Sequence, residues 1–292
     1  MNGLPEKLLT IFSWLALSAL AAALVFLLGF LWMRGLPTLG PELLFGHTPP
    51  LDALLFRQQV FDGLFPAVCG TLLLVLLSML LALPLGIPAG IYMAEYAGGR
   101  LRRLFNLFFD ILAGIPSIVI GLAGLSLTIF LHRVFPGRVA PSLLVSGLAL
   151  AMLVLPYLIR TTQTALEQVD PLLRATAPAL GASRLQNILR VLLPSALPDI
   201  TGGIILATAR CAEDTAVIML TGAVASAGLP GSLLDRYEAL PFTIYTISAQ
   251  YGSPEELAVG FGAAVLLLFL CMGLLLAALG VQRRLSVLLL YR

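Results

Sequence analysis

Residues 167–199 read EQVDPLLRATAPALGASRLQNILRVLLPSALPD, and this stretch interrupts a chain that is otherwise mostly apolar. It contains Glu167, Asp170, Arg174, Arg184 and Arg190, a density of charge that does not cross a hydrocarbon layer. Its local signals predict two short helices joined by a turn. Asp170 suits an N-cap and Pro171 the first helical position. Gly181 can close the first helix in the left-handed conformation. Ser183 and Gln186 have capping-box spacing, so a second helix starts there. Pro178 removes a helical hydrogen bond and shortens the first helix, and Pro194 stops or kinks the second. A structured helix-turn-helix at the membrane face reads as a handle by which another protein takes hold.

Outward from the handle, composition sets the class. The 292 residues are 59% hydrophobic and 11% charged, where a soluble domain carries about a quarter charged residues. The chain is therefore expected to be an all-α, polytopic membrane protein embedded in the lipid bilayer. A helix needs about 20 apolar residues to cross. Six runs qualify: Leu8–Trp32, Phe65–Tyr92, Leu104–Leu131, Val139–Ile159, Leu197–Val224 and Leu257–Val281. The first is longer than the core of a signal peptide, about 7–15 residues, and reads as a membrane span.

Six crossings put both termini on one side. With that side inside, the inner segments contain Lys7, Arg100, Arg102, Arg103, Arg160, Arg174, Arg184, Arg190, Arg283, Arg284 and Arg292, which is eleven of 17 basic residues. The outer segments contain five: Arg34, Arg57, Arg133, Arg138 and Arg236. The positive-inside rule then makes the termini and the handle cytoplasmic. The expected organisation is a first span with an outer loop over 1–60, a core over 61–285 with its handle at 166–194, and a tail over 286–292. The outer segments Met33–Leu64 and Ala225–Glu256 show no obvious core of their own.

Several function classes drop out. The formal net charge is +2, and no basic cluster lies outside the membrane flanks, so nucleic acid is not an expected partner. Cys69, Cys211 and Cys271 fall in apolar runs without metal-ligand spacing, and His47 and His132 fall in separate loops. Neither a metal nor another cofactor is expected. No phosphate-cradling Gly-x4-Gly-Lys-Ser/Thr loop occurs, and no Ser/His/Asp or Cys/His set can assemble. The chain is not expected to be an enzyme.

Asp110, Asp199, Arg210, Glu213 and Asp214 lie inside the apolar runs. Asp110 and Asp199 sit near run ends and basic residues, as membrane-face anchors do. Arg210, Glu213 and Asp214 have the spacing to share one helix face and to pair within it. The two readings are an ion pair that glues the bundle and a polar pathway for a solute. The second is favoured, because apolar packing would be cheaper than a buried ion pair and one Arg does not neutralise two carboxylates.

The handle resembles the coupling loop of permease subunits of bacterial ABC importers, which reads EAA, three residues, Gly, nine residues, then Ile-x-Leu-Pro. Here Gly181 is followed by nine residues and Val191-Leu192-Leu193-Pro194. The EAA positions hold Ala175, Thr176 and Ala177, so the family's Glu is absent. Ala209–Ala216 is similar to the R-A-x-G-E-T-A stretch of phosphate importer permeases: Arg210 matches the Arg, Asp214 the Glu, and Thr215-Ala216 the Thr-Ala, while Glu213 replaces a Gly. Gly114-Ile115-Pro116-Ser117-Ile118-Val119-Ile120-Gly121-Leu122 resembles their GIPSxVxGL signature, and Ala239–Tyr245 resembles the ALPxxIY stretch of PstA-type subunits.

This resemblance implies a MetI-like helical bundle that is the permease subunit of a phosphate ABC importer in the bacterial cytoplasmic membrane. It implies a PstC-like second permease, PstB-like ATPase subunits and a PstS-like outer phosphate-binding protein as partners. It assigns Arg210, Glu213, Asp214 and Thr215 to the pathway. Asp170, Pro171, Arg174, Ala175, Thr176, Ala177, Gly181, Ser183 and Pro194 become the coupling segment, and Gly114, Pro116, Ser117 and Gly121 a helix-packing signature. Another cargo (molybdate, sulfate or an amino acid) and a phosphate-status signalling scaffold stay open at this point.

Overall fold

The computed structural model describes residues 3–55, 57–134 and 140–290. In chain order the helices are α1 (Leu4–Gly35), α2 (Pro41–Phe45), α3 (Pro50–Leu54), α4 (Phe65–Glu95), α5 (Gly99–Ala113), α6 (Ser117–Val134), α7 (Leu143–Glu167), α8 (Pro171–Ala179), α9 (Arg184–Asn187), α10 (Leu193–Glu213), α11 (Ile218–Thr221), α12 (Leu240–Gln250) and α13 (Pro254–Leu290). No strand is present among the described residues. Six helical stretches there are long and apolar enough to cross a membrane: Glu6–Thr38, Phe65–Glu95, Ser117–Val134, Leu143–Glu167, Arg184–Glu213 and Pro254–Arg284.

The parallel pair α4 and α7 is the most extensive helix contact. Leu74, Val75 and Met79 of α4 pack on Leu150, Val154 and Leu158 of α7, and Ala207 and Cys211 of α10 with Ile218 of α11 close the cluster. Between helices in lipid there is no hydrophobic driving force, so close packing of small residues holds them instead. Gly86 and Gly90, four apart on α4, supply that closeness. A Cβ built on Gly86 would stand 2.9 Å from Leu158 Cβ, and one on Gly90 would stand 2.6 Å from Thr162 Cβ and 2.8 Å from the Ile159 carbonyl oxygen. By contrast α1 is peripheral. Its side chains are almost all exposed, and it leans on α13 through Phe30 against Phe261 and Trp32 against Phe269.

The third expected span is two helices. Leu104–Leu131 breaks at Gly114–Pro116, giving an amphipathic α5 and an 18-residue α6. Pro116 cannot donate to the preceding turn and disfavours helical backbone at Ile115, so the chain re-aims there. At about 1.5 Å per residue, α6 alone still matches a hydrocarbon core about 30 Å thick. The fifth span, expected over Leu197–Val224, is also displaced. It begins at Arg184 and its helix ends at Glu213, after which Ile218–Thr221 forms one separate turn.

Other ends shift as well. The fourth span runs Leu143–Glu167, while Val139 and Arg138 lie outside the described residues. The tail over 286–292 continues α13 to Leu290, and Arg292 lies outside the described residues. His132 is not in a loop but in the last turn of α6.

The outer segments have more order than their composition implies. Leu43 and Leu64 pack with Ala67 of α4, Leu240 of α12 and Ala263 of α13, and Val60 and Tyr237 are fully buried. Thr71 Oγ1 of α4 accepts the Leu240 N–H at 2.9 Å. Glu238 folds the loop before it by accepting the Ala227 and Gly228 N–H groups, each at 2.8 Å. Its carboxyl is pushed up from the ordinary range by burial, against the lowering effect of those two hydrogen bonds.

The α4–α7 contact makes one substitution decisive. Gly90→Ala is expected to lower the stability of the purified protein by roughly 1–3 kcal/mol, the usual cost of overpacking. Gly29→Ala, at a position with nothing within 4 Å, is expected not to lower it. Thermal unfolding in detergent compares the two.

Candidate functional site

Two sites are assembled at different ends of the bundle. The first is the handle. Asp170 caps α8, its Oδ1 accepting the Leu172 N–H at 2.7 Å, and Pro171 takes the first helical position. Gly181 has φ +84°, which closes the turn in the left-handed region. Ser183 and Gln186 form a full capping box: Gln186 N–H donates to Ser183 Oγ and Ser183 N–H to Gln186 Oε1. Ala175 and Thr176 are exposed and Ala177 is half-buried, so α8 turns an open face outward. That face also displays Leu172, 81% exposed, and beyond it Leu180, 86% exposed.

Pro194 does not end the second helix. The turn Ile188–Leu192 widens into π geometry, with the Leu193 N–H donating to Ile188 O, and the helix then runs on as α10. Pro194 offers no N–H to the turn before it, and a widened turn is how a helix absorbs that loss without breaking. Ser195 Oγ adds a hydrogen bond to the Val191 carbonyl at 2.7 Å. The handle and the fifth span are thus one continuous rod.

Arg174 points inward. Its Nη1 meets Glu95 Oε1 at 2.5 Å and its Nη2 donates to the Leu166 carbonyl at 2.6 Å. Asn187 Nδ2 donates to the Arg174 carbonyl at 3.0 Å. One residue therefore ties α8 to the end of α4, the end of α7 and the start of the rod. Glu95, Asn187 and Leu166 were not among the residues expected to matter. The apolar run in α4 stops at Tyr92 and so hides Glu95. The signal available was a single carboxylate three residues beyond a span. Nearby, Arg102 pairs with Glu167, Arg160 Nη2 with Asp110 Oδ1 at 3.0 Å, and the Arg184 guanidinium lies 4.6 Å from the Tyr96 ring centre.

The second site lies at the far end of α10. Arg210 and Glu213 are exposed on the surface of this chain. Asp214 is buried and does not share their helix. The helix ends at Glu213, Asp214 is extended (φ −72°, ψ 113°), and its Oδ1 accepts the Val217 N–H at 2.8 Å. It caps the turn that follows, so the expected triplet on one helix face is corrected to a surface pair and an inward cap. No ion pair involves Arg210, Glu213 or Asp214 among the described residues. Thr215 is half-buried, and its carbonyl accepts the Met219 N–H at 3.1 Å.

The packing signature meets this site. A Cβ on Gly121 would stand 3.0 Å from the Ala216 carbonyl oxygen and 3.1 Å from Val217 Cα. Gly121 thus lets α6 touch the backbone just past Thr215. Gly114 and Pro116 set the break that aims α6, and Ser117 opens it. Two motifs about 90 residues apart are brought side by side.

The inward anchor can be tested directly. Arg174→Met leaves Glu95 buried and unpaired, and is expected to lower stability by roughly 1–3 kcal/mol, the cost of stranding such a group. Pairing it with Glu95→Met is expected to recover most of the loss, since an apolar pair replaces a buried ion pair at little cost. A double-mutant cycle of thermal unfolding measures the coupling.

Comparison with known proteins agrees with this layout. Residues 86–286 match the family described as binding-protein-dependent transport system inner membrane component. Phosphate transport system permease protein PstA 1 of Mycobacterium tuberculosis (strain CDC 1551 / Oshkosh) is 34% identical over 226 residues, covering 76% of this chain and 71% of that protein. The probable PstA of Methanocaldococcus jannaschii is 29% identical over 208 residues, covering 71% and 72%. Among solved structures, a chain of a bacterial alginate ABC transporter superposes with a TM-score of 0.62 at 19% identity, covering 94% of this chain and 95% of that chain. A chain of the inward-facing MetNI methionine ABC transporter gives 0.60 at 22% identity, covering 82% and 99%. The chain belongs to the binding-protein-dependent transport system inner membrane components, and within them to the PstA-type permeases.

Proposed function

We propose that this chain is the transmembrane permease subunit of an ATP-driven phosphate importer, forming the pathway together with a second permease. The observation that carries the pathway is Arg210: a guanidinium exposed on a membrane-crossing helix, with Glu213 one turn on and no ion-pair partner among the described residues. An unpaired charge at that place is too costly to face lipid. It faces a second protein chain and a solute. The relatives that match most of the chain are named as phosphate permeases, and a guanidinium offers the planar, bidentate donors that a phosphate oxyanion takes.

Glu213 sets the selectivity in this reading. Phosphate near neutral pH carries a proton that a carboxylate can accept in a hydrogen bond. Sulfate and molybdate carry none, and the carboxylate repels them. One cation with one nearby carboxylate holds an anion loosely, as transit requires. Asp214 and Thr215 keep the turn beyond the pair in place.

The partners follow as part of the same proposal: a PstC-like permease against the Arg210 face, PstB-like ATPase subunits on the handle, and a PstS-like binding protein on the opposite face. Both termini and the handle are cytoplasmic, as the distribution of basic residues indicates. ATPase closure pushes on the exposed Leu172 and Leu180 of the handle. The rod from Arg184 to Glu213 transmits that push to Arg210, while Arg174 transmits it to α4 and α7. ATP hydrolysis belongs to the partner subunit.

Radiolabelled phosphate uptake in cells lacking their own phosphate permease tests the reading, with this chain co-expressed with its partners. Arg210→Ala is expected to reduce uptake at least 100-fold and Arg210→Lys to restore only part of it; normal uptake by correctly inserted Arg210→Ala protein overturns the assignment. In the same assay Glu213→Gln is expected to let sulfate compete with phosphate, where the unaltered chain resists competition.

A further inference from the structure

The outward face of α5 is a feature the transport reading leaves unused. Two ion pairs fix how this helix stands. Arg102 pairs with Glu167 and Asp110 with Arg160. The partners are eight residues apart on α5 and seven apart on α7, spans of about 12 and 10 Å at the helical rise. α5 therefore runs antiparallel along the handle end of α7. Its first turn is level with the helix end that meets the handle, and its last turn lies deeper. Tyr92 and Tyr96, stacked with ring centres 6.0 Å apart, mark the same level on α4, as aromatic side chains do at a membrane–water boundary.

The faces of α5 are sharply divided. Arg102, Asn106 and Phe109 are half-buried, and Arg102 and Asp110 make its two ion pairs to α7. On the opposite side Leu101, Leu104, Leu107, Phe108 and Ile111 are 45, 63, 58, 51 and 58% exposed. Placed at 100° per residue, these five fall within about a third of the circumference. Arg100 and Arg103 stand at the outermost turn beside this stripe. Both are exposed, and neither forms an ion pair among the described residues. A stripe of acyl-chain character lies one to two turns below two uncommitted guanidinium groups.

We propose that this face binds anionic phospholipid, with Arg100 and Arg103 on the headgroup phosphate and Leu104, Leu107, Phe108 and Ile111 along the acyl chain. The arrangement complements that ligand at both ends. Cations at the surface level attract acidic headgroups, their apolar stems lie along the interface, and the stripe below removes hydrocarbon from water. The face is continuous with the membrane-crossing surface of α6 across Gly114–Pro116. A protein partner on this face is the competing outcome, and the experiment separates the two. The proposal rests on the membrane reading of the chain and is independent of its cargo.

The test uses the assembled complex reconstituted in vesicles. Trp14 and Trp32 are replaced by Phe, and Phe108→Trp supplies a single reporter in this chain, read as the difference from the same complex without it. Brominated phosphatidylcholine is expected to quench that indole, and brominated phosphatidylglycerol at 10 mol% in unbrominated phosphatidylcholine to quench it beyond its bulk share. At about 1 kcal/mol per basic residue near the surface, the enrichment is about fivefold per arginine. Arg100→Gln/Arg103→Gln is expected to reduce phosphatidylglycerol quenching to its bulk share while leaving phosphatidylcholine quenching unchanged. Arg100→Lys/Arg103→Lys is expected to keep most of the enrichment. An indole that neither lipid quenches means that another chain covers the face and overturns the proposal. Equal quenching by the two lipids at equal mole fraction overturns the headgroup site.

Discussion

Close contact between α4 and α7 is the constraint on which the rest of the molecule depends. Gly86 and Gly90 bring the two helices near enough for backbone and side chain to touch, and nothing bulkier than hydrogen fits at Gly90. α10 then packs into the groove the pair makes, and α5 lies along α7. The ends of the pair finish together. Glu95 on α4 and the Leu166 carbonyl on α7 are both within reach of Arg174. A single guanidinium thus reads the relative position of the two helices that form the core. The handle is held by the bundle where the ends of its two closely packed helices meet.

Much of this was legible in the sequence, and the losses have physical causes. The caps at Asp170 and Ser183 and the turn at Gly181 depend on residues within four positions of one another, and they stand as the local spacing predicts. The number of membrane-crossing helices follows from composition, which is a bulk property. Where hydropathy and backbone chemistry disagreed, hydropathy misled. Residues 104–131 are apolar enough to be one span, but Ile115-Pro116 cannot continue a helix without strain. At Pro194 the stop, one of the two outcomes expected there, does not occur, because a widened turn lets the helix pass the proline.

The charged residues show the same division. Arg210, Glu213 and Asp214 were recognisable as anomalies in an apolar run, since any charge there is costly. Their division into a surface pair and an inward cap was not recognisable, because it turns on one backbone torsion at Asp214. The contact between Gly121 and the backbone at Ala216 links segments distant in sequence, which no periodicity reveals. Glu95 lay outside the drawn span by three residues, and its importance comes from Arg174, a residue of the handle.

The π turn at Ile188–Leu192 has a consequence beyond tolerating a proline. It inserts roughly one residue into the winding of the rod without interrupting it. Each residue of an α-helix is worth about 100° of rotation about its axis. The turn therefore sets the azimuth of everything downstream, and Arg210 lies about five helical turns beyond it. The rod is a shaft with a fixed phase angle between its two ends. Which way the guanidinium looks is decided not where it stands but at the collar near the handle, so a change of length there would act as a change of direction.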